Sequence, residues 1–90
     1  MIIELRTLIA VARYGTFSAA GERIGLTQAA VSGHMRRLEE SLGFALFDRT
    51  GRSAILNAAG LRTLARAEAL VAGFDALGEP TQDEEWAKPL

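Results

Sequence analysis

Residues 17–42, FSAAGERIGLTQAAVSGHMRRLEESL, combine small and apolar residues at a spacing that decides the fold. Gly21 stands where two helices would cross closely, and Gly25 follows four residues later, where the chain must turn with positive φ. The apolar residues of a second, longer helix recur beyond the turn: Leu26, Val31, Met35, Leu38 and Leu42. This pattern predicts a helix-turn-helix, in which the second helix presents its outer face to the major groove of DNA.

Local signals predict three helices in the first half of the chain. Apolar residues at i, i+3, i+4 and i+7 predict an amphipathic helix over about residues 3–13. Ser18 is positioned to cap a short second helix and Thr27 to cap a third, because both hydroxyls can accept a hydrogen bond from a free backbone N–H. Gly43 is expected to end the third helix.

The second half of the chain predicts a wing and one long helix. Two short extended segments, 44–49 and 53–56, flank a Gly-containing turn at 50–52, which is typical of a small β-hairpin. Asn57 is a good N-cap, and an Ala-rich helix is predicted from residue 58 to about residue 77. The expected fold is mainly α: a winged helix-turn-helix of three helices and a short β-hairpin wing, followed by a long dimerisation or linker helix.

These boundaries divide the chain into three segments. Residues 1–57 are expected to form the winged helix-turn-helix DNA-binding domain, and residues 58–78 the linker and dimerisation helix. Residues 79–90 are acidic and contain both prolines of the chain, a composition typical of a disordered tail.

Charge is distributed unevenly along the sequence. The formal net charge of −1 combines nine Arg against five acids in residues 1–66 (+4) with one Lys against six acids in residues 67–90 (−5). Because DNA meets only one surface of a protein, the charge of one segment is more informative about DNA binding than the net charge of the chain. An Arg-rich composition also arises from a G·C-rich genome, so charge alone does not decide the function.

Composition and motifs exclude several other classes of protein. The chain has no Cys, and His34 has no second His beside it, so no metal site is expected. There is no nucleophile elbow, Gly-rich phosphate loop or pair of carboxylates, which excludes catalytic residues, cofactors and enzyme activity. Glu4, Arg6 and Arg13 interrupt the N-terminal apolar run, so neither a signal peptide nor a membrane span is predicted and a soluble, cytoplasmic protein is expected.

The outward face of the third helix carries residue types that read DNA. Gly33 adds no bulk there, so the helix backbone could approach a groove closely. Gln28 and Ser32 can reach base edges, since Gln pairs bidentately with adenine and Ser serves donor or acceptor edges. Further along, Arg36 and Arg37 suit contacts with phosphate.

Each of these interpretations has a plainer alternative. An ordinary solvated helix face would explain Gln28, Ser32 and Arg36 when taken alone. A mid-helix Gly costs about 0.5–1 kcal/mol relative to Ala, so Gly33 calls for a reason, which is either close approach to DNA or genetic drift. His34, on the flank of this helix, is more commonly a packing residue than a DNA contact.

Two segments agree in order and spacing with the motifs of a known family. They are ELRTLIAVARYGTFSAAGERIGLTQAAVSGHMRRLEESLGFALFDRTGR and ILNAAG, within residues 2–60. The chain thereby resembles the N-terminal domain of LysR-type transcriptional regulators, and its fourth helix resembles that family's linker helix. The resemblance implies a bacterial winged helix-turn-helix that dimerises by antiparallel pairing of linker helices.

The resemblance also implies roles for individual residues. The matched base or groove contacts are Thr27, Gln28 and Ser32, the matched DNA-backbone contacts are Ser18 and Arg49, and Arg52 matches the wing. The family commonly has Arg where this chain has Gly33, which implies a lost specificity contact. Its larger effector-binding domain does not follow Gly78, so no small-molecule ligand is expected, and the chain is either a domain cut from a longer regulator or a short protein without a sensor.

The fourth helix carries an apolar seam with coiled-coil spacing. Leu64, Ala67, Val71 and Phe74 step by three, four and three residues. A helix that projects from a small domain cannot bury such a stripe alone, so pairing with a second copy is expected, giving a homodimer or higher oligomer. The alternative is that the helix folds back onto its own domain.

Together these observations favour sequence-specific binding of double-stranded DNA by a homodimer that regulates transcription. The alternative is a protein-interaction module that dimerises with related regulators without binding DNA, in which Gly33 marks the lost contact. A small enzyme would be a third class, but the sequence contains no identifiable active site. The salt dependence of binding to duplex DNA separates the first two, because only phosphate contacts give a steep salt slope.

Overall fold

The computed structural model describes residues 1–48 and 53–78, and within these ranges it contains four α-helices. Their bounds are Ile2–Tyr14 for α1, Phe17–Ile24 for α2, Gln28–Leu42 for α3 and Ala58–Asp75 for α4, with a 3₁₀ turn over Ala76–Gly78. The mainly α fold is confirmed. Arg49, Arg52 and the predicted acidic tail of residues 79–90 lie outside the described residues.

The turn between α2 and α3 has the geometry predicted from its two glycines. Gly25 adopts a left-handed conformation with φ of 76°, which side chains with a Cβ rarely accept. A Cβ on Gly21 would lie 2.5 Å from the carbonyl oxygen of Leu26, so this approach of α2 to the turn requires glycine. The helix-turn-helix is confirmed.

A side-chain oxygen caps the N-terminus of each of the last three helices. Thr27 and Asn57 accept a hydrogen bond from the backbone N–H three residues on, at 3.1 and 2.7 Å. For α2 this role belongs to Thr16, at 3.0 Å, so the prediction of Ser18 as the cap is wrong. Ser18 instead lies within the first turn of α2 with its side chain exposed.

The core lies between α1 and the three other helices. Leu8 and Val11 of α1 and Leu38 of α3 are fully buried, and Leu46 completes the core from the segment after α3. Burial of such aliphatic side chains contributes about 1.5–3 kcal/mol each. Within the described residues, no helix is long and apolar enough to cross a membrane.

α4 packs along α1 and shares this core. Ala67 and Val71 are only 1% and 8% exposed and belong to the core cluster, and Leu64 packs half-buried against it. The prediction that these three residues form an exposed seam is therefore wrong, since they cover their own domain. Phe74, the fourth residue of that seam, is 51% exposed.

The start of α4 is held against the segment that follows α3. A Cβ on Gly60 would clash with the carbonyl oxygen of Leu46, so the helix backbone touches this segment directly. The side-chain amide of Asn57 donates to the carbonyl of Ala45 at 3.0 Å. Because α4 and residues 1–48 share one core, the predicted boundary after residue 57 does not separate two independent cores.

The two arms of the predicted wing pair beside the start of α4. Phe47 and Leu56 form an antiparallel bridge, and the backbone N–H of Asp48 donates to the carbonyl of Ile55 at 2.7 Å. The connecting residues 49–52 lie outside the described residues. The complete hairpin therefore stays a prediction.

Candidate nucleic-acid interface

The predicted DNA-reading face of α3 is open to solvent. Gln28, Arg36 and Arg37 are exposed and Ser32 is half-buried, whereas the opposite stripe of the helix packs into the core. The hydroxyl oxygen of exposed Thr27 accepts the capping bond, which leaves its proton available to donate to a second group. α3 therefore offers an amide, two hydroxyls and two guanidinium groups.

Gly33 leaves the middle of this face without bulk. A Cβ at this position would meet no heavy atom within 4 Å, so packing within the chain does not require glycine here. This contrasts with Gly21, where a Cβ would strike backbone. The helix backbone at Gly33 is accessible to a partner that approaches closely.

A cleft of about 490 Å³ separates α3 from α2 and from the wing arms. Four of the predicted DNA contacts line it together: Ser18, Gln28, Ser32 and Arg36. Its other polar lining residues, which the sequence analysis did not select, are Thr16, Glu39, Asp48 and Ser53. Their only local signals were hydroxyl or carboxylate side chains near predicted turns, which are too common to single out a site.

Contacts from α2 hold one wall of the cleft in place. The rings of Phe17 and Phe47 meet edge to face, with centroids 5.4 Å apart and planes at 81°. Such aromatic pairs add about 0.5–1.5 kcal/mol beyond the area that they bury. The backbone N–H of Ala54 also donates to the carbonyl of Gly15 at 3.0 Å. These contacts fix both wing arms relative to α1 and α2.

A carboxylate on α3 holds the same arm from the other side. Glu39 accepts a hydrogen bond of 2.7 Å from the backbone N–H of Leu46, and its side chain lines the cleft. A bond from a backbone N–H to a charged acceptor is stronger than one between neutral groups. The width of the cleft is therefore set by packing and hydrogen bonds that involve three helices.

The two adjacent arginines of α3 occupy different places. Arg36 lines the cleft, whereas Arg37 borders a second depression with Glu4 and Glu40, at the start of α1. The guanidinium of Arg36 lines the cleft together with the carboxylates of Glu39 and Asp48. The cleft thus suits a ligand that carries both anionic and hydrogen-bonding groups.

His34 is an internal packing contact on the flank of α3. Its Nδ1 lies 2.9 Å from the hydroxyl oxygen of Thr7, which is buried in α1. Among the described residues, no group of three His, Cys, Asp or Glu side chains could hold a metal ion. Of the two interpretations of His34, the packing role agrees with this contact.

A shifted pKa occurs at the junction of α1 and α2. Hydrogen bonds with Arg23 and Arg13 lower the pKa of the Tyr14 hydroxyl. The guanidinium of Arg23 also lies over the Tyr14 ring, 4.9 Å from its centroid. This cation–π contact ties the end of α1 to the last turn of α2.

The structure is a helix-turn-helix whose second helix is open to solvent, with a cleft between that helix and the wing arms. This arrangement is typical of the DNA-binding domains of transcriptional regulators. The family model described as "Bacterial regulatory helix-turn-helix protein, lysR family" matches residues 2–61. The chain belongs to this family.

Curated relatives agree with this membership. The chain is 44% identical over 78 residues to the "Probable hydrogen peroxide-inducible genes activator" of Streptomyces viridosporus, covering 87% of the chain and 25% of the relative. It is 41% identical over 73 residues to the "HTH-type transcriptional activator AllS" of Klebsiella pneumoniae, covering 81% and 27%. An uncharacterised regulator of Azotobacter vinelandii is 50% identical over 66 residues, covering 73% and 46%. The chain thus spans between a quarter and a half of these relatives, which are transcriptional regulators rather than enzymes.

Solved structures match most of the chain. The DNA-binding domain of CbnR, in a complex with DNA, superposes with a TM-score of 0.85 at 30% identity, covering 98% of this chain and 99% of that one. The DNA-binding domain of BenM, in a complex with catB site 1 DNA, gives 0.81 at 26% identity, covering 86% and 83%. The fold is that of the LysR-type DNA-binding domain.

Proposed function

We propose that two copies of this chain bind duplex DNA sequence-specifically, with α3 of each copy in the major groove, and so regulate transcription. The observation that carries the proposal is the cleft, which brings four predicted contacts from two helices beside the open face of α3. Family membership and the DNA complexes of similar domains support it. A bacterial regulator of this kind would work in the cytoplasm, where the chromosome lies.

Within this proposal, the contacts divide between bases and phosphates. Gln28 and Ser32, on the first turns of α3, would read base edges. Ser18 on α2 and Arg36 on α3, which line the same cleft, would contact phosphate oxygens through a hydroxyl and a guanidinium. Arg49 and Arg52 are proposed as further DNA-backbone and wing contacts from the family resemblance alone.

We further propose that the homodimer forms through the side of α4 that its own domain leaves uncovered. Leu70, Phe74 and Leu77 are 60%, 51% and 76% exposed and recur at steps of four and three residues. Ala67 and Val71 have no part in this interface, because they are buried against α1. Antiparallel pairing of two such helices would place both α3 helices on one side and suit a two-fold symmetric site.

The salt dependence of binding to duplex DNA tests the proposal. The probe is a duplex selected from a random pool with the wild-type protein, and affinity is measured by fluorescence anisotropy across a series of salt concentrations. Arg36→Ala should weaken binding and reduce the slope of log affinity against log salt by about 1, since one phosphate contact is lost. Arg62→Ala, the same change at an exposed position of α4 outside the proposed dimer face, is the matched control and should leave the slope unchanged.

Two results would contradict the proposal. If the wild-type protein binds no duplex at low salt yet dimerises, the alternative of a protein-interaction module is favoured. If Arg36→Ala and Arg62→Ala lower the slope equally, the cleft does not hold the phosphate.

A further inference from the structure

One ion pair joins the start of α1 to the end of α4, 69 residues apart. The guanidinium of Arg6 donates from Nη1 to Oδ2 of Asp75 at 3.2 Å and from Nη2 to Oδ1 of the same carboxylate. The Arg6 guanidinium also lies over the Phe74 ring, 5.8 Å from its centroid. Arg6, Phe74 and Asp75 are called the clamp below.

The clamp differs in kind from the rest of the α1–α4 interface. That interface contains Ala67 and Val71, small side chains that set how close the helices come. Val71 is the last buried residue of α4, so residues 72–75 make no core contact that would hold the end of the helix in one direction. A bidentate guanidinium–carboxylate pair has a fixed planar geometry and resists changes in the direction of the helix.

The position of the clamp allows it to affect how two copies are arranged in a dimer. α4 is also held near its start at Gly60, and the 15 residues from there to Asp75 span about 22 Å. A change of about 10° in the direction of α4 would therefore displace its end by about 4 Å, which is close to the rise of one base pair. Phe74 also belongs to the proposed dimer face, so the direction of α4 would also determine the orientation of the second copy.

We propose that the clamp fixes the direction of α4 and thereby sets the separation between two DNA half-sites that a dimer can bind. Arg6 and Asp75 are positioning residues in this proposal and do not touch DNA. The proposal rests on the proposed homodimer and determines which arrangement of half-sites that homodimer selects. Exposed ion pairs contribute little to overall stability, so the effect should appear in the direction and local opening of the end of α4 rather than in global unfolding.

The test uses Asp75→Asn in the full chain, with Glu68→Gln as the matched control. Glu68 is an exposed carboxylate two turns earlier on α4, so both variants remove one negative charge from the same helix. The probes are an inverted-repeat duplex selected with the wild-type protein, the same duplex with one base pair inserted between its half-sites, and a duplex with a single half-site.

For wild type and Glu68→Gln, insertion of one base pair should reduce affinity by at least tenfold. For Asp75→Asn this penalty should shrink by threefold or more, while affinity for the single half-site matches that of Glu68→Gln. The exchanged pair Arg6→Asp with Asp75→Arg should restore most of the penalty, because it restores an ion pair between the helices. Equal penalties in Asp75→Asn and Glu68→Gln would overturn the proposal.

Hydrogen exchange separates failure of the clamp from failure of the dimer. Amides in the last two turns of α4 should exchange faster in Asp75→Asn than in Glu68→Gln, whether or not the chain dimerises. Faster exchange in a protein that sediments as a monomer would mean that the proposed homodimer is wrong although the clamp exists. Unchanged exchange would mean that the clamp does not hold α4, whatever the oligomeric state.

Discussion

The hydroxyl of Thr7 on α1 and Nδ1 of His34 on α3 lie 2.9 Å apart and form a polar contact beside the core. The same hydroxyl donates to the carbonyl of Ile3 at 3.0 Å, and with its single proton used there it accepts from Nδ1 of His34 in the tautomer that carries a proton on Nδ1. Thr7 is 1% exposed, so the hydroxyl lies at the inner end of both bonds. This contact joins α1, which packs against the other three helices, to α3, the helix proposed to read DNA.

Replacing Thr7 by Val should lower the free energy of unfolding by about 0.5–1.5 kcal/mol. The side chain keeps its shape but loses the hydroxyl, and His34 is half-exposed and can turn to water. Urea denaturation of Thr7→Val, His34→Ala and the double variant gives the coupling between the two residues. We expect a coupling energy of at least about 0.5 kcal/mol, and additive effects would mean that the contact contributes nothing.

Gly33→Ala should raise stability and weaken DNA binding at the same time. The added Cβ meets nothing within 4 Å, so the change should gain about 0.5–1 kcal/mol from helix propensity. On a single half-site duplex, affinity should fall tenfold or more, because α3 without the Arg that the family commonly has here would lie closer to the groove floor, where the added methyl group would clash. Urea denaturation and fluorescence anisotropy measure the two effects separately.

Gly73 provides the control for this experiment. It lies within α4, and a Cβ there would also meet nothing within 4 Å. Gly73→Ala should therefore gain similar stability without changing affinity for the single half-site. If Gly33→Ala binds as tightly as the wild type, close approach at Gly33 is wrong and genetic drift explains this glycine.

The order and bounds of the helices could be predicted because their signals are local. Gly25 marks its turn through a backbone conformation that other residues rarely adopt, and Thr27 and Asn57 supply cap hydroxyl or amide oxygens at the position where each helix begins. Three members of the candidate site, Gln28, Ser32 and Arg36, followed from the same reasoning, because helical spacing determines which residues of α3 face outward, whereas Ser18 was implied by the family resemblance.

The errors have two different origins. Thr16 and Ser18 both have hydroxyls that suit a cap, and residue type alone did not decide between them. The seam of α4 has the same spacing whether it covers its own domain or a second copy, so periodicity could not decide that Val71 is buried.

The ion pair between Arg6 and Asp75 should depend on pH in the acid range. Hydrogen bonds from Arg6 lower the pKa of Asp75 below its ordinary value of 3.8. The stabilising contribution is therefore complete above about pH 5 and is lost as the pH falls through the lowered pKa. Measured by NMR on the side-chain carbon, the titration midpoint of Asp75 should move up in Arg6→Gln.

A change remote from the pair serves as the control for this titration. Arg62→Gln removes the same charge from an exposed position on α4 and should leave the Asp75 midpoint where it is in the wild type. Equal midpoints in all three proteins would mean that Arg6 and Asp75 do not pair in solution.

The proposed dimer face predicts opposite outcomes for two leucines of α4. Leu70 and Leu61 are 60% and 59% exposed, and their separation of nine residues puts them on opposite sides of the helix. Leu70→Asp should convert the dimer to a monomer, because it would bury an unpaired carboxylate between the two copies. Leu61→Asp, the matched control, should remain a dimer, since that side of α4 stays in water.

Sedimentation velocity at micromolar concentration measures the oligomeric state. Circular dichroism should show native helix content in both variants, because neither side chain belongs to the core. A monomeric wild type would refute the dimer, and a monomeric Leu61→Asp beside a dimeric Leu70→Asp would move the interface to the other side of α4.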